Sequence, residues 1–143
     1  MSRLTHPILA PLVAIAGVVA LACATTAEFE KSEVVPAAAG KVKVSVGPSG
    51  NTRVSVDFEH LAPPTRLNPP RAFYLVWAQS DFGRNALLGQ LTVDDKLRAE
   101  FEGPVPFQRF KLFVTGEEIA TPQWPSPPPY VLATGFLTSK GTE

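Results

Sequence analysis

Proline is the feature of this sequence that most restricts its fold. The 143-residue chain contains 15 prolines, about twice the usage of roughly 5% that is typical of proteins. Many of them stand in pairs or clusters, at 63–64, 69–70 and 127–129. Proline lacks a backbone N–H and its ring clashes with the preceding helical turn, so helix interiors exclude such clusters while loops between strands accept them. The chain is therefore predicted to be all-β.

Alternating polar and apolar residues occupy the intervals between the prolines. Residues 41–46 and 52–58 alternate on either side of a Gly-Pro-Ser-Gly turn, which predicts a β-hairpin with Val42, Val44 and Val46 facing inward. Residues 86–92 and 97–102 flank a Val-Asp-Asp-Lys turn and predict a second hairpin.

The segment 71–79 is the one around which the rest of the domain is predicted to be organised. The run from 73 to 77, Phe-Tyr-Leu-Val-Trp, is continuously apolar or aromatic, and such a run predicts a strand covered on both faces. We expect it to lie at the centre of the core. Two more strands are predicted at 107–115 and 130–137. About seven strands in roughly 100 residues predict an immunoglobulin-like β-sandwich over residues 41–140.

Residues 1–22 have the layout of a secretory signal peptide, with Arg3 followed by an uncharged apolar run and then small residues. The run from Ile8 to Ala22 is shorter than the roughly 20 residues that span a bilayer as a helix. The single cysteine of the chain, Cys23, follows Ala-Leu-Ala and resembles the lipobox of bacterial lipoproteins. That resemblance implies cleavage before Cys23 and its acylation, and Ala24 after it implies sorting to the outer membrane of a Gram-negative cell. The alternative is ordinary cleavage after Ala24, with an unmodified Cys23.

Residues 23–40 show no usable strand alternation, and Pro36 interrupts any helix through them. They are predicted to form a flexible tether between the lipid and the sandwich.

Several segments of the sandwich resemble the extracytoplasmic C-terminal domain of anti-sigma-K-type factors. The matching residues are 73–77, the Leu-Gly-Gln-Leu segment at 88–91, the Phe-Val-Thr-Gly-Glu segment at 113–117, and the closing Val-Leu-Ala-Thr-Gly at 131–135. Members of that family also carry a sigma-binding helical domain and a transmembrane helix, and this sequence shows neither. The resemblance implies a β-sandwich outside the cytoplasm, without catalytic residues and without sigma-factor inhibition.

Charge and side-chain chemistry argue against several classes of function. Thirteen basic and thirteen acidic residues balance to a formal charge of zero, whereas a nucleic-acid partner calls for a basic face. His60 is the one histidine after the leader, and the sequence contains no Gly-x-Ser-x-Gly elbow. The carboxylates at 94–95 and 117–118 lack the spacing of a calcium loop and are interpreted as turn and loop charges. No catalytic residue, metal or other cofactor is predicted.

The proline-rich segment at 122–129 is the most unusual surface feature. Trp124 and Tyr130 flank its Pro-Ser-Pro-Pro-Pro sequence, and a preset extended segment loses little entropy on binding while aromatic rings supply contact area. We predict a partner-binding edge formed by this loop together with Arg71, Phe82 and Arg84. The alternative is that Trp124 packs back onto the sandwich and the prolines only stiffen a crossover.

These features predict a non-catalytic, lipid-anchored module that binds a protein of the cell envelope or supports its structure. Two alternatives remain open. One is an extracytoplasmic regulator of a membrane signalling protein, and the other is a hydrolase or small-ligand carrier whose site is assembled from loops.

Overall fold

The computed structural model describes residues 24–139. The predicted signal peptide and Cys23 lie outside the described residues. Within residues 24–139, nine strands form two antiparallel sheets, and one 3-10 turn lies between the third and fourth strands. The strands are β1 (Thr25–Glu28), β2 (Ala39–Val46), β3 (Thr52–Glu59), β4 (Phe73–Ser80), β5 (Asn85–Leu91), β6 (Ala99–Val105), β7 (Arg109–Glu117), β8 (Leu132–Ala133) and β9 (Leu137–Thr138), and the 3-10 turn is Pro64–Arg66.

The two sheets have the strand orders β1-β2-β3-β6 and β5-β4-β7-β8, with β9 also paired to β7. Without the edge strand β1, three strands lie against five, and the two-residue strands β8 and β9 both pair with β7. Counted as one interrupted strand, β8 and β9 bring the total to seven, in keeping with the predicted immunoglobulin-like sandwich. The order differs from that of constant-type immunoglobulin domains because the fourth of these seven strands, β5, lies beside β4 and not in the other sheet.

Strand β4 is covered on both faces, as its unbroken apolar sequence predicts. Tyr74, Val76 and Ala78 belong to the main core between the sheets. Leu75 and Trp77 point to the other side and form a second cluster with Phe113 of β7. The β2–β3 hairpin is also confirmed, with Val42 opposite Val56 and Val44 opposite Val54. Val46 was predicted to face inward, but it is exposed at the end of β2.

The second predicted hairpin is wrong. Strand β5 pairs with β4, whereas β6 lies in the other sheet and pairs with β3, where Phe101 is opposite Val56. The intervening segment is therefore a crossover between sheets. Its turn is closed by Asp94, whose Oδ1 accepts hydrogen bonds from the backbone N–H groups of Lys96 and Arg98, at 2.9 Å each.

The flexible tether predicted for 23–40 is wrong over the part that the structure describes. Strand β1 pairs with β2, and Phe29, Val35 and Ala38 lie in the main core. Glycine at position 40 leaves room for the Phe29 and Phe58 rings, because a Cβ there would lie 2.5 Å from the Phe58 ring and 2.9 Å from the Phe29 ring. A short edge strand is held by backbone hydrogen bonds and by one or two apolar side chains. Its sequence therefore shows little alternation of polar and apolar residues.

The segment after β1 crosses from one sheet to the other. The Glu30 N–H donates to the Ala133 carbonyl at 2.8 Å. The Ser32 hydroxyl donates to the Val131 carbonyl and accepts from the Val35 N–H. Residues 25–38 are thus part of the sandwich and close one of its sides.

Strand register gives the sandwich two ends. The turns at 47–51, 81–84 and 106–108 lie together at one end, which we call the hairpin end, because Val46 is opposite Thr52, Thr52 is opposite Val105, and Ser80 is opposite Phe110. The longer segments 60–72, 92–98 and 118–131 begin at the other end, which we call the loop end.

Candidate functional site

The proline-rich loop begins at the loop end and is fixed there by a buried carboxylate. Glu117, the last residue of β7, is 7% exposed. One of its carboxylate oxygens accepts the backbone N–H of Ser126 at 2.7 Å, and the other accepts the Ser126 hydroxyl at 2.9 Å. Bonds to an ionised acceptor are stronger than those between neutral groups. The interpretation of Glu117 as a loop charge is therefore wrong, and its side chain ties the loop to the sheet.

Tyr130 holds the other side of the loop. Its ring stacks on Phe113 with the centroids 4.3 Å apart, and Phe113 in turn stacks on Trp77 at 6.3 Å. The indole N–H of Trp77 donates to the Thr115 hydroxyl at 2.9 Å. Tyr130 is half-buried in this row of rings, so its principal contacts are structural.

Trp124 lies between these two attachments and faces solvent. Its side chain is 71% exposed, and Ile119, near the start of the same loop, is also exposed. The alternative in which Trp124 packs back onto the sandwich is therefore wrong. Tryptophan is among the residue types that most often dominate binding energy at protein interfaces, so the exposed Trp124 is a candidate contact residue.

An open cleft of about 220 Å³ lies beside the loop. The segment from Leu67 to Arg71 lines one side, the prolines at 127 and 129 line the other, and Val34 and Val131 also contribute. The Arg71 guanidinium approaches the Glu118 carboxylate at 3.4 Å. The cleft is smaller than the roughly 300–1,000 Å³ of typical small-molecule pockets.

Phe82 and Arg84 are not part of this surface. Both lie in the β4–β5 turn at the hairpin end, where Phe82 is 90% exposed. The turn is closed by a hydrogen bond from the Ser80 N–H to the Arg84 carbonyl at 2.8 Å, and Gly83 supplies the left-handed conformation, with φ of 82°. The structure therefore divides the five predicted binding residues. Trp124, Tyr130 and Arg71 belong to the loop end, and Phe82 and Arg84 belong to the opposite end.

The structure also locates the histidine and the carboxylates that the sequence analysis considered as possible site residues. His60 is exposed in a left-handed turn with φ of 55°. Between Ala24 and Ser139, no three His, Cys, Asp or Glu side chains converge as metal ligands would. Over the same residues, no helix has the length and apolarity to cross a bilayer.

Tyr74 is buried at the loop end. Burial raises the pKa of its phenol from 10.0 to about 12. The hydroxyl donates to the Ala62 carbonyl at 2.6 Å and so attaches the crossing segment 60–72 to β4. Tyr74 is thus a structural group of the loop end.

Comparison with known proteins gives no relative for this chain: no family model, no curated protein and no solved structure matches it. The resemblance to anti-sigma-K-type domains stays a prediction.

Proposed function

We propose that this protein is an exported, non-catalytic binding module of the bacterial cell envelope, anchored by a lipid on Cys23, and that it binds an envelope protein through its loop end. The observation that carries the proposal is the fixed, solvent-facing loop that presents Trp124 and Ile119 beside an open cleft. For a Gram-negative cell, the proposed location is the periplasmic face of the outer membrane.

Rigidity suits this loop to binding. The Glu117–Ser126 hydrogen bonds fix its middle, the Tyr130–Phe113 stack fixes its end, and its prolines restrict the backbone between them. A loop that is already ordered loses little conformational entropy when a partner binds. An exposed tryptophan in such a setting is the residue type that most often dominates binding energy at protein interfaces.

The place where the described chain begins indicates which end of the sandwich the proposed anchor would hold. Thr25 is opposite Val44 in the sheet, so the described chain enters near the hairpin end. A strand of the length of β7, nine residues, spans about 30 Å at roughly 3.3 Å per residue. A lipid on Cys23 would therefore leave the loop end facing away from the membrane and open to a partner. Confinement to the membrane would raise the effective concentration of the module toward other envelope components.

Matched variants test this proposal. Trp124→Ala and Phe82→Ala each remove one exposed aromatic side chain, from the loop end and the hairpin end respectively. Each variant is expressed as the full chain, crosslinked in intact cells and recovered with its envelope partners, which are then identified by mass spectrometry and measured for direct binding.

We expect Trp124→Ala to lose a specific partner that both the unchanged chain and Phe82→Ala retain, with the melting temperature unchanged. Intact mass of the membrane-bound chain gives a separate readout of acyl groups on Cys23. Retention of every partner by Trp124→Ala would contradict the proposed binding surface. A chain without acyl groups would contradict the proposed anchor.

A further inference from the structure

The hairpin end has apolar side chains that its own fold does not cover. Phe82 is at the tip of the β4–β5 turn, and Val46 and Phe136 are exposed nearby. Phe82 borders an open depression of about 380 Å³ with Arg84, Phe107 and Arg109. Removing such an exposed phenylalanine ring from water would be favourable in free energy, and an adjoining apolar surface could do so.

Cations surround these apolar groups. The Arg109 guanidinium carbon lies 4.5 Å from the centroid of the Phe136 ring, and the Lys111 ammonium nitrogen lies 4.7 Å from it. Arg84 is exposed beside Phe82, and Asp81 is the carboxylate of the same turn. Among the described residues, these three cations and the Asp81 carboxylate leave the patch around Phe82 and Phe136 basic. At the loop end, by contrast, cations and carboxylates nearly balance, with Arg66, Arg71, Lys96 and Arg98 beside Glu59, Asp94, Asp95, Glu117 and Glu118.

The position of Thr25 indicates that the membrane would face the hairpin end if Cys23 carries a lipid. Cys23 lies two residues before Thr25, and two residues reach at most about 7 Å. Thr25 is in turn only two positions from the Val46–Thr52 pair that closes the β2–β3 hairpin. A lipid on Cys23 would therefore hold the hairpin end against the membrane and the loop end away from it.

We propose that the hairpin end is a lipid-docking surface, in which Phe82 enters the boundary between headgroups and acyl chains while Arg84, Arg109 and Lys111 contact the phosphates of anionic phospholipids. This inference rests on the proposed anchoring at Cys23. Its chemistry is that of peripheral membrane surfaces, where a buried aromatic ring and basic side chains act together. Docking places the hairpin end on the bilayer and leaves the loop end free in the aqueous phase.

The test follows one side chain of the turn in the full acylated chain. With Cys23 acylated, an added cysteine is the single free thiol, and Asp81→Cys carries an environment-sensitive fluorophore beside an intact Phe82. Asp95→Cys carries the same fluorophore at the loop end as a control. Both proteins are reconstituted into vesicles of phosphatidylcholine with phosphatidylglycerol, and immersion is read from the emission shift and from quenching by lipid-borne quenchers.

We expect the label at 81 to be immersed and the label at 95 to remain in water. Phe82→Ser should lower the docking equilibrium about tenfold or more, and Arg84→Gln should lower it about fivefold. A matched pair at the loop end, Ile119→Ser and Arg66→Gln, should leave it unchanged. Equal aqueous signals from the two labels in the anchored chain would overturn the inference.

Loss of the proposed anchor would be distinguishable from loss of docking. If intact mass shows no acyl groups, the processed chain is added to the same vesicles from solution and its pelleting is measured. Pelleting that Phe82→Ser and Arg84→Gln reduce would support docking without the anchor, and pelleting that neither variant reduces would contradict it. Absence of pelleting would overturn docking as well.

Discussion

The two ends of this sandwich differ in both construction and chemistry. Short turns close the hairpin end, so Phe82 and Arg84 project from the sheet with little covering them. Long proline-rich segments close the loop end, where Glu117, Tyr130 and Tyr74 tie them to the strands. One β-sandwich therefore presents a short projecting turn at one end and a larger surface of fixed shape at the other.

The largest expected effect tests whether the N-terminal segment belongs to the sandwich, on which the position of the anchor depends. Phe29 packs against Phe58 with ring centroids 4.8 Å apart, and its replacement by alanine leaves a cavity. We expect Phe29→Ala to cost about 3 kcal/mol of unfolding free energy and to lower the melting temperature by about 10 °C or more. Urea unfolding measures it. Phe82→Ala, which removes the same ring from an exposed site, should change stability by less than about 0.5 kcal/mol. Equal losses for the two variants would contradict the assignment of residues 25–38 to the sandwich.

The next effect concerns how the loop end responds to alkaline pH. Burial raises the pKa of Tyr74 to about 12, so the neutral phenol is the form that the fold favours. The stability that this preference gives is complete below about pH 10 and is lost as the pH rises to about 12, a change of about 2–3 kcal/mol.

Tyr74→Phe is the control for this titration. It removes the hydrogen bond to Ala62, at a cost of about 1 kcal/mol at neutral pH, and should be less sensitive to pH between 10 and 12 than the unchanged chain. Urea unfolding at several pH values gives the comparison. Parallel pH profiles for the two proteins would show that Tyr74 does not titrate with folding.

A smaller effect separates the two glutamates at the end of β7. Glu117→Gln weakens two hydrogen bonds to Ser126 and should cost about 1–2 kcal/mol. It should also speed amide exchange across residues 118–129 while exchange at the hairpin end stays the same. Glu118→Gln removes an exposed charge that is paired with Arg71 at 3.4 Å, and such pairs contribute about 0–1 kcal/mol. Unchanged exchange in Glu117→Gln would mean that the loop is held by other contacts.

The smallest expected effect on stability is at Trp124. Because its side chain faces solvent, Trp124→Ala should alter the unfolding free energy by less than about 0.5 kcal/mol. Thermal unfolding of the purified variant measures this directly. A loss of 2 kcal/mol or more would mean that the indole is packed, and the loop end would then lose its main exposed contact residue.

The sequence correctly predicted those strands in which the order of polar and apolar residues reflects which side chains are buried. The alternation at 42–44 and 54–58 located the β2–β3 hairpin, and the unbroken run 73–77 predicted that both faces of β4 are covered. The β5–β6 hairpin was mispredicted because its turn residues suit a crossover between sheets equally well. Strand β1 was missed because backbone pairing, which the sequence does not show, holds it in place.

The candidate site was harder to predict than the fold. Trp124 and Tyr130 are six positions apart, yet one faces solvent and the other stacks on Phe113. Glu117 carries no local signal of burial, since its partner Ser126 lies nine residues later. Arg71 and Phe82 were predicted to share one surface, but β4 separates them along its whole length.

Photo-crosslinking in intact cells tests the central claim, that the two ends face different surroundings, most directly. A photoreactive amino acid replaces Phe82 in one full-length chain and Trp124 in another, and the adducts are identified by mass spectrometry. The account predicts phospholipid adducts from position 82 and one discrete envelope protein from position 124. The same protein adduct from both positions, or lipid from position 124 and protein from position 82, would contradict it.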